Sequence, residues 1–457
     1  MIAIGGAIGV GLFLGSGGRL AAAGPGLVLS YAVAGIAAFL VMRALGELVQ
    51  HRPTSGSFVD YAHEFVGPWA SFASGWMYWI NWAFTGIAEL TAIATYVHKW
   101  APDLPQWITA LGALVLVLAV NLLSVRLFGE LEFWFALLKV LAITVFLVVG
   151  TWMVVFAVNG AGPANMTADG GFMPFGLPLV LMSLQAVVFA YSGIELVGVA
   201  AGETKDVRKV MPKAINGVVW RIAVFYVGSV LLLIMVLPWT AYSGTQSPFV
   251  TVFSSLGVPW AGDAMNLVVI TAAMSSCNSG LYSTGRILRS MALKGEAPAV
   301  TGRLNSRHVP YGGIAITAAV FLGGVVLNYF VPKQAFDIAI AIASLGVITT
   351  WGTLLYCQIG LRRAALRGEV ARPGFRMPGS PYTNWFALAL LGLVVALMAF
   401  ADEPQRIAFY SIPLLAAAIA VGWRIVNARR GHLRRPPAAG QPIVSGPVAP
   451  PGAVPPR

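Results

Sequence analysis

The sequence predicts an all-α polytopic membrane protein with about 12 transmembrane helices, and three observations support this fold class. Of the 457 residues, 58% are hydrophobic and only 10% are charged, whereas a soluble domain carries about 25% charged residues. The mean hydropathy is +0.79. Apolar stretches of about 20 residues, each long enough to cross a ~30 Å hydrocarbon core as a helix, recur along the whole chain.

These apolar stretches define the predicted spans. They lie at about 2–23, 26–49, 67–97, 105–125, 131–157, 178–201, 215–238, 262–292, 312–331, 335–361, 383–401 and 406–427. The first begins without the basic region and cleavage site of a signal peptide, so we expect it to remain as a span. The sequence after residue 427 is rich in Pro, Arg and Ala and cannot bury a core, which predicts a disordered cytoplasmic tail over 428–457.

The Lys and Arg residues alternate between the loops and predict the orientation. Loops on one side carry about 24 of them and loops on the other side about 4. The positive-inside rule then places both termini in the cytoplasm of a multi-pass protein of the inner cell membrane. The net charge of +12 is thus spread over short loops. Since no continuous basic patch results, we expect no nucleic-acid partner.

The first span is rich in glycine at closely spaced positions. Gly5, Gly6, Gly9 and Gly11 follow one another, and each costs about 1 kcal/mol in a helix relative to Ala. Close helix packing through small residues is one explanation. We favour an interrupted helix, because the backbone N–H groups at the start of its second half would bind a carboxylate.

A second interruption is predicted in the sixth span, where polar residues and a glycine break an apolar run. The residues are Phe189, Tyr191, Ser192, Gly193 and Glu195. Spans one and six are five apart, so two consecutive five-helix units would lie inverted relative to each other. Matching breaks in inverted units are typical of transporters that bind their substrate near the bilayer midplane.

Three ionisable residues lie well inside predicted spans, where a charge is costly and usually functional. Glu89 shares one face of span three with Asn81 and Thr85. Glu195 follows the break in span six, and Lys139 lies in span five. Each also has a structural explanation. A polar contact between helices would account for Glu89, a cap on the second half-helix for Glu195, and snorkelling to the headgroups for Lys139.

Span eight carries a polar stripe that favours a hydrated cavity. Its members are Ser275, Ser276, Asn278, Ser279, Tyr282, Ser283 and Arg286. The spans show no catalytic constellation of side chains, so we expect that the protein is not an enzyme. The five histidines show no metal-ligand spacing, so we expect neither a metal nor a cofactor.

Five segments together resemble one known family. They are Ile4–Phe13 (IGGAIGVGLF), Arg52–Phe58 (RPTSGSF), Phe189–Glu195 (FAYSGIE), Gly202–Asp206 (GETKD) and Asn278–Arg286 (NSGLYSTGR). Through them the chain resembles the amino-acid permeases of the amino acid–polyamine–organocation superfamily over residues 1–427.

Four further segments resemble the bacterial L-asparagine permeases within that family. They are Leu131–Ala142, Gln246–Val250, Ser254–Pro259 and Thr284–Ala292. These segments lie mostly in loops and scaffold helices. They therefore indicate descent more directly than substrate contacts.

The resemblance implies a leucine-transporter-like fold. Two inverted repeats of five helices would cover about 1–157 and 178–361, and two extra helices would cover 383–427. The substrate carboxylate would bind N–H groups between Gly6 and Gly11, including that of Ile8. The substrate amino group would bind carbonyls near Phe189.

The resemblance also implies where the rest of the substrate lies and what drives its uptake. The substrate side chain would face spans three, eight and ten, beside Glu89 and Asn278. Lys139 occupies the place where sodium-coupled relatives bind their ion, so the co-transported ion would be H⁺.

The expected function is secondary active import of an amino acid, first of all L-asparagine, by proton symport with alternating access. The alternative is the same machinery carrying an aromatic or small neutral amino acid or γ-aminobutyrate. The expected partners are the amino-acid substrate and membrane lipid. The sequence leaves open whether the protein is a monomer or a homodimer.

Overall fold

The computed structural model describes residues 8–54, 57–123, 125–201, 207–306, 309–332 and 334–433, and this part of the chain is helical throughout. The first nine α-helices are α1 (Val10–Phe13), α2 (Gly15–Ala23), α3 (Leu27–His51), α4 (Ser57–Phe65), α5 (Pro68–His98), α6 (Gln106–Leu123), α7 (Val125–Val155), α8 (Gly176–Met182) and α9 (Leu184–Ala190). The remaining nine are α10 (Leu196–Ala201), α11 (Val207–Arg221), α12 (Ser229–Val236), α13 (Pro248–Ser254), α14 (Ala261–Leu293), α15 (Tyr311–Phe330), α16 (Ala335–Leu366), α17 (Tyr382–Met398) and α18 (Glu403–Leu433). A π-helical segment, Ile222–Gly228, joins α11 to α12.

Seven helical stretches of the described residues are long and apolar enough to cross a membrane. They are Val10–His51, Gly129–Val155, Lys209–Val236, Ala261–Leu293, Tyr311–Phe330, Ala335–Leu366 and Glu403–Arg429. Three shorter helical stretches are also apolar: Gln106–Leu122, Gly176–Ala190 and Tyr382–Met398. This composition confirms a polytopic membrane protein of the all-α class.

Helix α5 lies at the centre of the bundle and carries buried polar residues. Its 31 residues include buried Asn81, Thr85 and Glu89, which lower its hydropathy. It packs most extensively against α16 and α14. The approach to α16 is so close that a Cβ at Gly346 would lie 2.5 Å from the carbonyl oxygen of Met77. Small residues thus allow backbone contact around the helix that carries the polar groups.

A buried carboxylate links several chain segments at one end of the bundle. Glu47, at the end of α3, is 0% exposed. It accepts hydrogen bonds from Gln358 Nε2, Arg372 Nε and the backbone N–H of Met377, each at 2.8 Å. A buried carboxylate needs this many partners. Glu47 therefore fastens the segment between α16 and α17 to α3.

The same end holds the short helix α4 against the end of α14. The Lys294 ammonium donates a hydrogen bond to the Asp60 carboxylate, and the Thr54 hydroxyl donates another to it. Burial alone would raise the pKa of Asp60. The bonds from Lys294 and Thr54 outweigh burial and hold that pKa below its usual value.

Some helix ends differ from the predicted spans. Helix α7 begins at Val125, whereas the predicted span begins at 131, so the helix gains about 9 Å of length at its start. Helix α16 extends to Leu366 and α18 to Leu433. These extra turns carry polar residues, which hydropathy alone assigns to loops. The predicted tail beyond Leu433 lies outside the described residues.

Candidate substrate and proton site

The described part of the glycine-rich segment begins at Ile8, and Gly9 there is extended directly before helix α1. Gly9 has an extended backbone, with φ −125° and ψ −163°, and helix α1 begins at the next residue. A Cβ at Gly11 would lie 2.7 Å from the Cα of Ala190, so α1 and α9 approach each other backbone to backbone. Gly5 and Gly6 lie outside the described residues. The buried side chain of Ile8 is 2% exposed.

The sixth span is interrupted where the sequence predicts. Helix α9 ends at Ala190 and α10 begins at Leu196. The residues between them include Gly193, which has φ +91°, a left-handed conformation that favours glycine. The Glu195 carboxylate accepts the Gly193 N–H at 3.2 Å and 3.3 Å. Glu195 thus bonds the backbone of the break itself. Because Gly193 precedes α10, this hydrogen bond is not the predicted cap on the second half-helix.

A small cavity lies beside Gly9 and the break in the sixth span. Its lining residues come from α1, α5, α9, α14 and the break after α9: Gly9, Gly11, Trp82, Thr85, Glu89, Phe189, Ala190, Ser192 and Ser276. The space inside is about 10 Å³, barely enough for one water molecule. An amino acid would therefore enter only if the walls move apart.

Glu89 is the ionisable group of this cavity. The residue is 1% exposed, and its Oε2 atom makes no hydrogen bond within the described part of the chain. Its carboxylate interacts with the Ser276 hydroxyl and with the backbone of Val10, the first residue of α1. A Cβ at Gly9 would lie 2.8 Å from Glu89 Oε1. Glycine at this position thus leaves room for the carboxylate.

Two polar residues of α5, the helix that carries Glu89, link that helix to the break in the sixth span. Thr85 Oγ1 donates to Asn81 Oδ1 at 3.3 Å, and Asn81 Nδ2 donates to Ser192 Oγ at 3.5 Å. The three polar residues predicted to share one face of α5 therefore do share it. That face is turned towards the cavity and the sixth span.

Lys139 lies within reach of this cavity. It is 0% exposed, so its ammonium does not snorkel to a headgroup region. The charged groups that interact with it are the carboxylates of Glu132 and Glu89. A buried ammonium requires such partners. The structure thus brings Lys139 and Glu89 together, although they are 50 residues apart in the sequence.

Glu132 is an acidic residue of the site that sequence reasoning missed. It is 1% exposed, and Ser275 Oγ donates a 2.8 Å hydrogen bond to its Oε2. The predicted span began at residue 131, which put Glu132 at a membrane boundary where a charge is unremarkable. Its distance of seven residues from Lys139 was the available signal, because residues seven apart lie on one helical face.

Five described residues that were expected near the substrate do not line the cavity: Ile8, Tyr191, Gly193, Glu195 and Asn278. The structure gives Asn278 and Tyr191 other partners. Asn278 Oδ1 accepts a 2.6 Å hydrogen bond from Asn121 Nδ2 of α6. Tyr191 donates its hydroxyl to the carbonyl of Tyr31 at 2.9 Å and packs against the ring of Tyr226. Both side chains therefore support the helices around the cavity in this conformation.

A helical membrane bundle with a broken helix beside a small cavity is typical of secondary transporters. The family model for "Amino acid permease" matches residues 1–431. The chain belongs to the amino acid permease family. It is an integral membrane transporter and not an enzyme.

Curated relatives match nearly the whole chain. The chain is 53% identical to an L-asparagine permease of Salmonella typhimurium over 95% of this chain and 89% of that protein. It is 53% identical to an L-asparagine permease of Streptomyces coelicolor, over 94% and 90% of the two chains. It is 52% identical to L-asparagine permease 1 of Mycobacterium tuberculosis, over 97% and 94%.

Proposed function

We propose that the protein imports L-asparagine across the bacterial cell membrane by proton symport. The relatives that support this substrate are named L-asparagine permeases and are 52–53% identical over most of both chains. The observation that carries the coupling proposal is the position of Glu89. Its buried carboxylate stands at the start of α1, where the substrate carboxylate is expected to bind.

Competition between the substrate carboxylate and the Glu89 carboxylate would couple substrate binding to proton binding. Two negative charges that share one buried site repel each other strongly, and a proton on one of them removes the repulsion. The substrate carboxylate would therefore bind together with a proton on the Glu89–Lys139 pair. After both leave on the other side of the membrane, the ionised Glu89 returns to the start of α1.

The larger architecture of the proposal follows the family resemblance. Twelve spans would form two inverted five-helix repeats and two extra helices, with both termini in the cytoplasm. The breaks at Gly9 and at Gly193 would let half-helices rock around the cavity, which opens it to each side in turn. The small cavity of about 10 Å³ would be an occluded state of that cycle.

Uptake into proteoliposomes tests this function. We expect an inward pH gradient to stimulate uptake of radiolabelled L-asparagine, and unlabelled L-asparagine to compete better than other amino acids. Gradient-driven uptake in which an aromatic amino acid, a small neutral amino acid or γ-aminobutyrate competes best would transfer the proposal to that substrate. Asparagine uptake that does not respond to the pH gradient would contradict proton coupling.

A further inference from the structure

Lys139 interacts with two buried carboxylates, those of Glu132 and Glu89, and neighbouring residues of α14 interact with both. Ser275 donates its hydroxyl to Glu132 at 2.8 Å, whereas the Ser276 hydroxyl interacts with Glu89. Glu132 precedes Lys139 by two helical turns on the same face of α7. Side chains of a helix lean towards its N-terminus, so the long Lys139 side chain extends in the direction of Glu132.

The remaining surroundings of Lys139 carry no further charge in the part of the chain that the structure describes. The charged groups that face it are Glu132 from its own helix and Glu89 from α5. Helix α14 presents the hydroxyls of Ser275 and Ser276. Helices α6 and α12, which also pack against α7, contain no ionisable residue. Tyr226 of the π-helical segment packs on Tyr191 instead.

The cluster formed by Glu89, Lys139 and Glu132 differs in net charge from a simple ion pair. Two ionised carboxylates and one ammonium leave a net charge of −1, and a buried net charge is costly. Glu132 Oε1 makes no hydrogen bond within the described residues, so one lone pair of that carboxylate is unused. One added proton makes the cluster neutral.

We propose that Glu132 is a coupling residue, and that Glu89, Lys139 and Glu132 together take up one proton for each substrate. This inference rests on the proposed proton symport and adds to it. Glu89 lines the substrate cavity, whereas Glu132 does not line it and is bonded to Ser275 of α14. Glu132 gives the cluster its excess negative charge, and without that charge Glu89 and Lys139 already neutralise each other.

Four variants test the role of Glu132 through the pH dependence of L-asparagine uptake. Glu132→Gln removes one negative charge, so the cluster should bind its proton less tightly. The pH midpoint of uptake should then fall by about one unit or more.

Glu132→Asp keeps the charge and should retain a midpoint near that of the wild type. Ser275→Ala removes a hydrogen bond that favours the ionised carboxylate, so its midpoint should move the opposite way. Glu403→Gln, at an exposed position of α18, is the control for loss of an acidic charge and should change nothing.

Substrate exchange in the absence of a gradient separates coupling from folding. Glu132→Gln should retain exchange of labelled for unlabelled L-asparagine and should lose most of its stimulation by a pH gradient. An unchanged midpoint in Glu132→Gln, with normal stimulation, would overturn the inference. If that variant does not fold, the Ser275→Ala midpoint decides: an upward shift supports the role of Glu132, and no shift overturns it. A wild type without any gradient response would instead contradict the proposed symport itself, and would do so before any variant is made.

Discussion

At the scale of single residues, the site depends on a glycine that leaves space for a carboxylate. Gly9 stands between Glu89 and Ser276, and a Cβ there would lie 2.8 Å from one and 3.3 Å from the other. A carboxylate oxygen at the end of a flexible side chain can move for one methyl group. It cannot move far enough for a branched side chain in a cavity of about 10 Å³.

We therefore expect Gly9→Leu to abolish L-asparagine uptake while the protein still inserts in the membrane. The matched control is Gly112→Leu in α6, where a Cβ would meet no atom within 4 Å. The measurement is uptake per inserted molecule, with insertion determined by immunoblot of the membrane fraction. Normal uptake by Gly9→Leu would contradict the placement of the site at the break.

Sequence reasoning found most of the residues that the structure brings together. It identified Glu89 and Lys139 because ionisable residues inside apolar spans are rare and costly. It also placed Ser192 near the cavity. It could not determine which face of α14 points inward, so Asn278 was expected in the substrate site and lies against Asn121 instead.

At the scale of elements, the break in the sixth span was predictable, whereas the start of α7 was not. Glycine and polar residues at that break identify it without any knowledge of tertiary structure. The start of α7 is different, because polar residues before 131 have low hydropathy whether or not they are helical. The six-residue difference concealed Glu132, since only the longer helix places it at the depth of a buried partner for Lys139.

The contact between α4 and the end of α14 predicts how the free energy of unfolding depends on pH. Asp60 has a pKa below its usual value in the folded protein, so its stabilising effect is fully present above about pH 4 and disappears as the pH falls below that value. We expect Asp60→Asn to reduce the free energy of unfolding by about 1 kcal/mol at pH 7. The difference between variant and wild type should shrink as the pH falls below about 4.

Thermal unfolding in detergent at pH 7 and at pH 3 measures this effect. Asp103→Asn, at an exposed loop position, controls for the loss of a surface charge. The interpretation fails if the two variants unfold alike at pH 7, or if the deficit of Asp60→Asn is the same at pH 3.

At the scale of the whole molecule, the fold surrounds buried polar side chains with apolar helices. Helix α5 carries Asn81, Thr85 and Glu89, and α14 carries the serines that face them. The outer helices keep this polar interior away from lipid, while glycines such as Gly346 allow close backbone contact. Composition and hydropathy predicted the class of fold. The pairing of α5 with α16 and α14 could not be predicted, because it depends on contacts between residues far apart in the chain.

The central claim is that substrate and proton move together through the cluster around Lys139. The most direct measurement records internal pH in proteoliposomes with a trapped indicator while L-asparagine is added outside, with no gradient imposed. We expect asparagine addition to acidify the interior for the wild type and to cause no acidification for Lys139→Ala. Asparagine accumulation by the wild type without any change of internal pH, or equal acidification by Lys139→Ala, would contradict the account.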